Sequence, residues 1–397
     1  MKTSYRNVFL LACCQALLLT NAAGFVAMNG LVGYSLVDVK TMATLGATTY
    51  VLGSALSTMP MSLWMARVGR RRGFMTGALF NIAGCALAVV ALWMRSFVLY
   101  CAATAIIGVY NAVGLQYRFA AAEVAAPADK ARAISLVLAG GIGGGFLGPS
   151  VTRWGHDLFA TPFLGSFMLL AGVALVALAM QSMVDVPPPS ALERSHGGRP
   201  LREIVRQPVF IVAALSAGLG YGLMNLLMTA TPLAMDFCSH PYSAATLVIS
   251  WHVVGMFAPG FVTGSLITRF GVLRVIVAGA AVMAAGTGVA LVGVTVAHFV
   301  VALMLVGCGW NFMYTGGTTL LTDAYRPGEK ARTQGANDFI MFTIMGVSSF
   351  SSGALVSAAG WATMNWGALP FLALIAATAL WYARRRSAGA GASPART

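Results

Sequence analysis

Two spaced pairs of soft side chains carry the most specific chemistry in this 397-residue chain. Met224 and Met228 close the run Tyr221-Gly-Leu-Met-Asn-Leu-Leu-Met, and His252 and Met256 bracket His-Val-Val-Gly-Met. A separation of four puts both members of a pair on one helix face. Thioethers with an imidazole are a ligand set for Cu(I). These ligands are neutral, which suits a monovalent ion that must be released again. His252 is the only one of the five histidines deep inside an apolar run; His156, His196, His240 and His298 fall in loops or at helix edges. Methionine is also an ordinary packing residue, and at this chain's methionine content roughly one such pair arises by chance. With 21 methionines, the chain has pairs at 61–65, 224–228 and 341–345. A methionine pair alone is therefore a weak signal, and the histidine pair on the next helix sharpens it. Met341, Met345, Met59, Met61, Cys308, Cys13 and Cys14 are read first as packing residues.

The elements that must position these groups follow from composition. The chain is 58% hydrophobic and 9% charged, against about 25% charged in soluble domains. Too few charges remain to solvate a globular surface, so most of the surface faces lipid. A spanning helix needs roughly 20 apolar residues. Backbone groups in lipid must be satisfied internally, which leaves helices or a closed barrel. The long apolar runs do not alternate with period two, so the expected class is an all-α membrane protein with twelve transmembrane helices in two pseudo-symmetric six-helix bundles. The helices are expected at 8–34, 42–66, 73–94, 97–122, 133–153, 161–184, 209–235, 242–267, 272–295, 297–323, 332–358 and 364–383. This divides the chain into a first bundle over 1–184, a cytoplasmic linker over 185–208, a second bundle over 209–384 and a disordered basic tail over 385–397. Pro187, Pro188 and Pro189 stop the sixth helix. At 1.5 Å per residue, Met224 to Met228 lie roughly 22–28 Å along an outward-running helix. His252 to Met256 lie roughly 15–21 Å along the inward-running helix that follows, so the two pairs sit at similar depth.

Charge placement sets the orientation. All but Lys40, Arg95 and Arg153 of the 25 lysines and arginines fall on one side, which places both termini in the cytoplasm. The net charge of +14 therefore reads as a topogenic signal and not as a nucleic-acid stripe. Lys2 and Arg6 precede an apolar stretch that runs well past Ala23, so the first helix reads as uncleaved. Of the six cysteines only Cys238 falls in an outward loop, so no disulfide framework is implied. No phosphate-binding loop sequence points to ATP as fuel. No cluster of nucleophile, base and acid points to an enzyme.

An internal repeat organises the whole chain. Arg67-Val-Gly69-Arg70 after helix two recurs as Arg269-Phe-Gly271 after helix eight. Asn111, Glu123 and Lys130-Ala-Arg132 recur as Asn311, Asp323 and Lys330-Ala-Arg332, about 200 residues on. Two homologous six-helix halves in parallel orientation, with Ser62-Leu-Trp-Met-Ala-Arg-Val-Gly-Arg-Arg-Arg72 and Gly264-Ser-Leu-Ile-Thr-Arg-Phe-Gly271 at matching loops, resemble the major facilitator superfamily. That family usually has an acidic residue before the first arginine, where Ala66 and Thr268 stand here. The charge lock is then either incomplete or rebuilt, and Glu123 as a partner for Arg70 and Asp338 as a further charge are the candidates for rebuilding it. Arg67, Gly69, Arg70, Glu123, Arg269 and Asp338 are accordingly expected to hold the closed cytoplasmic face, or to take part in proton coupling. Gly144, Gly148 and Pro149 partly fit an antiporter motif of helix five, but Thr152 and Arg153 do not, and close helix packing accounts for the glycines.

Within that superfamily, the helix-seven and helix-eight pairs, with Tyr221 three residues before the first methionine, resemble the bacterial CcoA-type copper importers. These supply copper for cbb-type cytochrome oxidase assembly. The runs 117–123 and 133–141 look like the same branch. The resemblance implies copper handling by Met224, Met228, His252 and Met256, with Tyr221 in support. It implies import into the cytoplasm across a bacterial inner membrane, with copper as cargo and no permanently bound cofactor. The expected partners are the lipid bilayer, the copper ion and a cytoplasmic copper chaperone or exporter downstream. The chain is expected to act as a monomer and to bind no nucleic acid. The principal rival is a drug or small-organic-molecule/proton antiporter of the same fold. It would want a membrane-embedded carboxylate, and helices one to three and five to eight have none in their central turns. A membrane sensor or assembly factor lacks a soluble domain to carry its signal.

Overall fold

A computed structural model describes residues 2–37, 42, 45–187 and 198–391. Lys40, residues 188–197 of the expected linker (including the prolines at 188 and 189) and the last six residues lie outside the described residues. The described chain is almost entirely helical. The helices are α1 (Lys2–Leu36), α2 (Leu45–Val68), α3 (Arg70–Trp93), α4 (Phe97–Gly114), α5 (Tyr117–Val124), α6 (Lys130–Ala139), α7 (Gly141–Gly155) and α8 (Leu164–Ser182). They continue as α9 (Leu201–Val205), α10 (Pro208–Ala214), α11 (Gly220–Phe237), α12 (Tyr242–Phe257), α13 (Gly260–Phe270), α14 (Val272–Val292), α15 (Val296–Leu321) and α16 (Lys330–Gly391).

Ten continuous helical segments among the described residues are long and apolar enough to cross a membrane. One of them, Pro327–Arg386, is 60 residues long and breaks at Gly360, where φ is +80°. Splitting it there and adding α2, which its serines, threonines and Pro60 make more polar, gives the expected twelve spans. Several spans are interrupted where the sequence reading drew unbroken helices. Gln116 separates α4 from α5, and Gly140 separates α6 from α7. Pro259, which has no N–H to donate, separates α12 from α13. The span containing Tyr221 opens with α10, passes through a π-helical turn at Leu215–Leu219 and continues as α11. The last helix runs on through Arg385 and Arg386 to Gly391; the disordered tail expected from 385 is thus helical as far as it is described.

The helix starts follow local chemistry. The Ser96 hydroxyl caps α4 by accepting from the Leu99 amide, and Thr295 caps α15 by accepting from the His298 amide. Pro208 begins α10, where its missing N–H costs no helical bond. Gly69 and Gly271 precede α3 and α14 with φ/ψ of 90°/159° and 89°/147°. Only glycine adopts that conformation readily, so the two copies of the loop share one backbone device.

The chain forms two compact units. One holds Met1–Gly198 with Arg326–Phe342, and the other Arg199–Tyr325 with Thr343–Thr397. The start of α16, which the repeat assigns to the second half, therefore groups with the first. The core of the first unit is built from Leu11, Leu18, Phe74, Tyr110 and Tyr117 at one level and Phe25, Tyr50, Tyr100 and Phe167 at another.

Each unit contains the same helix crossing. In the first, a Cβ on Gly108 of α4 would run into the Tyr50 carbonyl and the Ser54 amide of α2. In the second, a Cβ on Gly307 of α15 would stand 2.8 Å from both the His252 carbonyl and the Met256 amide of α12. Asn111 donates to Ser54 Oγ at 3.3 Å, and Asn311 donates to the Met256 carbonyl at 2.7 Å. His252 and Met256 thus stand where the first half has Tyr50 and Ser54.

Candidate substrate site

The two soft pairs lie on α11 and α12, which pack against each other and against α15 in the second unit. Met224 is 1% exposed, His252 0% and Met256 7%, while Met228 is half-buried. The His252 imidazole is held by a single strong contact, Nδ1 to the Leu303 carbonyl of α15 at 2.6 Å. A carbonyl oxygen only accepts, so Nδ1 carries the proton and Nε2 is the lone-pair nitrogen. Nε2 is buried and has no hydrogen-bond partner. A backbone bond to one ring nitrogen that fixes the other as a donor is how metal-binding histidines are oriented.

Tyr221, one turn before Met224, meets α15 edge-on. Its ring lies 5.3 Å from Trp310 at 89° and 5.6 Å from Tyr314 at 76°. Trp310 and Tyr314 stack at 4.9 Å and 15°, and Phe257 adds an edge contact to Trp310 at 5.9 Å. The Trp310 indole N–H is buried without a partner. Asn225 ties α11 to α16, donating to the Met345 carbonyl at 3.3 Å and to Ser348 Oγ at 3.1 Å. The sequence singles out Tyr221 and the four soft side chains but not Leu303, Gly307, Trp310 and Tyr314. Only the repeated asparagines, Asn111 and Asn311, gave a signal that α15 carries conserved geometry between the halves.

The charged residues assemble in the first unit. Arg70 Nη2 donates to Glu123 Oε1 at 2.6 Å and to Gln334 Oε1 at 2.6 Å, and Arg70 Nη1 donates to Gln116 Oε1 at 3.0 Å. Lys330 joins Glu123 at 3.3 Å. Gln116 Nε2 donates to Asp338 Oδ2 at 3.0 Å, and Asp338 Oδ1 accepts from Asn337 at 3.1 Å and forms an ion pair with Arg118. Glu123 therefore stands where the missing loop acid leaves Arg70 in need of a partner. Arg118, Gln116 and Gln334 complete a network that the sequence reading had only from its ends. Arg67 and Arg269 lie exposed outside it, the latter over the Phe270 ring at 5.2 Å.

Similarity to known proteins agrees with this architecture. The family model for the Major Facilitator Superfamily matches residues 8–237 and 228–397. The chain is 39% identical over 375 residues to the riboflavin transporter RfnT of Brucella anthropi, covering 93% of this chain and 94% of that one. It is 26% identical to the uncharacterized MFS-type transporter YddS of Bacillus subtilis, covering 91% and 87%. Among solved structures, the transporter FucP in its outward conformation shares the fold with a TM-score of 0.76 at 15% identity, covering 96% of this chain and 98% of that one. The named relative is thus a riboflavin transporter, whereas the sequence motifs resemble a copper-importing branch. With both halves matched and twelve spans present, the chain belongs to the Major Facilitator Superfamily, as a multi-pass secondary membrane transporter and not an enzyme.

Proposed function

We propose that this transporter carries copper, as Cu(I), into the cytoplasm by alternating access, using Met224, Met228, His252 and Met256 as transient ligands. The observation that carries this reading is the His252 imidazole. Its Nδ1–H is committed to the Leu303 carbonyl and its Nε2 lone pair is left buried and unused. A buried unpartnered acceptor costs about 1–3 kcal/mol, which a soft cation would offset. The thioethers of Met224 and Met256 on the same two helices supply the soft donors that favour Cu(I) over harder cations. Copper is cargo here and not a resident cofactor. Inward direction, the bacterial inner membrane and delivery to a cytoplasmic chaperone or exporter for cytochrome oxidase assembly rest on the resemblance to CcoA-type importers. Cytoplasmic termini rest on the basic-residue bias.

A second reading has its own support. RfnT is named for riboflavin, and Tyr221, Trp310 and Tyr314 form an aromatic wall with an unpartnered indole N–H. Such a wall suits a planar heterocycle by stacking. The same cells decide between the two. Accumulation of copper-64 and of labelled riboflavin is measured with the parent chain, His252→Ala and Met224→Ala. The copper reading expects copper uptake to fall at least about tenfold in both variants, with no riboflavin uptake above empty cells. Copper uptake equal to the parent in both variants removes it. Riboflavin uptake that survives His252→Ala and is lost in Trp310→Ala establishes the second reading instead.

A further inference from the structure

The copper reading names His252 as a ligand; the structure also shows what aims it. Leu303 lies 51 residues from His252 in the chain, and its carbonyl reaches Nδ1 at 2.6 Å only because α12 and α15 cross at very short range. Two glycines make that approach. A Cβ on Gly307 would lie 2.8 Å from the His252 carbonyl, 2.8 Å from the Met256 amide nitrogen and 3.0 Å from the Gly255 carbonyl carbon. A Cβ on Gly255 would run into the Met304 carbonyl from the other side. Every atom met is backbone, so no side-chain rotation relieves the clash and the helices must separate.

We propose that Gly307 and Gly255 are positioning residues for the substrate site. They hold α12 against α15 so that the Leu303 carbonyl fixes His252 as the Nδ1–H tautomer, with Nε2 as the free donor. Small residues at a helix crossing are ordinary membrane packing. What distinguishes this crossing is the imidazole seated on it, fully buried, with one ring nitrogen bonded and the other unpartnered. The first unit supplies the internal control. Gly53 and Gly108 make the same approach between α2 and α4, with Tyr50 and Ser54 in the places of His252 and Met256. A substitution there disturbs an equivalent crossing that carries no imidazole.

The inference rests on the copper reading for its affinity measurement only. The tautomer of His252 is read in the purified full-length protein by 15N magnetic resonance of labelled histidine, the signal being assigned through its loss in His252→Gln. Cu(I) affinity is read by competition with a chromophoric Cu(I) chelator, and folding by thermal unfolding in detergent. The expected results are the Nδ1–H tautomer in the parent and a shift toward Nε2–H in Gly307→Ala. Cu(I) affinity in Gly307→Ala should fall about 10- to 100-fold, the range for loss of an outer-shell partner. Gly108→Ala should lower the unfolding temperature comparably and leave Cu(I) affinity within about twofold, since it touches no group of the site. An Nε2–H signal for His252 in the parent overturns the proposal, and does so even if Gly307→Ala fails to fold. So does an unchanged tautomer in Gly307→Ala, or an equal loss of affinity in Gly108→Ala. If His252→Gln binds Cu(I) as tightly as the parent, the copper reading fails, while the tautomer comparison still decides the role of Gly307.

Discussion

At the scale of single residues, a methionine that packs and a methionine that ligates fill the same volume, and only the second role depends on the sulfur. Met224 is buried, so either role is compatible with its position. Met224→Leu separates them. Leucine conserves the volume, and such swaps cost under about 1.5 kcal/mol. The expected outcome is a protein that folds and inserts as the parent does but accumulates copper-64 more slowly; unchanged uptake would return Met224 to the core. The same distinction explains what was legible in the chain. Side-chain type and spacing made the two soft pairs and Tyr221 stand out as candidates, because helical periodicity is written in the sequence. The partner of His252 was not visible, because it is a backbone carbonyl and any residue at 303 would present one. Arg118 escaped notice for a related reason. It shares a short helix with Glu123, and only its burial against Asp338 separates it from the basic residues that mark the cytoplasmic side.

At the scale of elements, the spans themselves were legible and their interruptions were not. Apolar runs and basic loops are long-range compositional signals, so helix count and order follow from them. The break at Pro259 follows from its missing N–H and is local, whereas Gln116, Gly140 and the π-turn at Leu215–Leu219 carry no comparable breaker signal. The repeat is the exception, since it turned one local feature into a structural expectation. Gly69 and Gly271 were paired by position alone, and both adopt the same left-handed backbone. That conformation is nearly closed to residues with a Cβ, and forcing one into it costs about 1–3 kcal/mol. Gly69→Ala and Gly271→Ala should therefore each lower stability by that amount, read by chemical unfolding in mixed micelles. A loss confined to one of them would show that the two loops, despite equal dihedral angles, are not equivalently constrained.

At the scale of the whole molecule, α16 contributes to both compact units: Arg326–Phe342 belongs to the first and Thr343 onward to the second. Sequence symmetry places it in the second bundle as far as residue 384, because homology assigns residues by descent while compactness assigns them by contact. The contacts that recruit its first turns are polar. Gln334 meets Arg70, Lys330 meets Glu123, and Asp338 meets Arg118 with both partners essentially inaccessible to water. A buried ion pair gives little net stability over an apolar pair of similar size, yet removing one partner strands a charge and costs about 3–5 kcal/mol. Arg118→Leu and Asp338→Leu should each destabilise the protein by about that much, and the double variant should recover most of the loss. Unfolding midpoints of the four proteins in one detergent close the cycle. A double variant as unstable as the sum of the singles would mean that Arg118 and Asp338 act through Gln116, Asn337 and the rest of the network separately. Recovery in the double variant would identify the pair itself as the unit that holds the start of α16 in place, and would leave Arg70–Glu123 as an independent second tie.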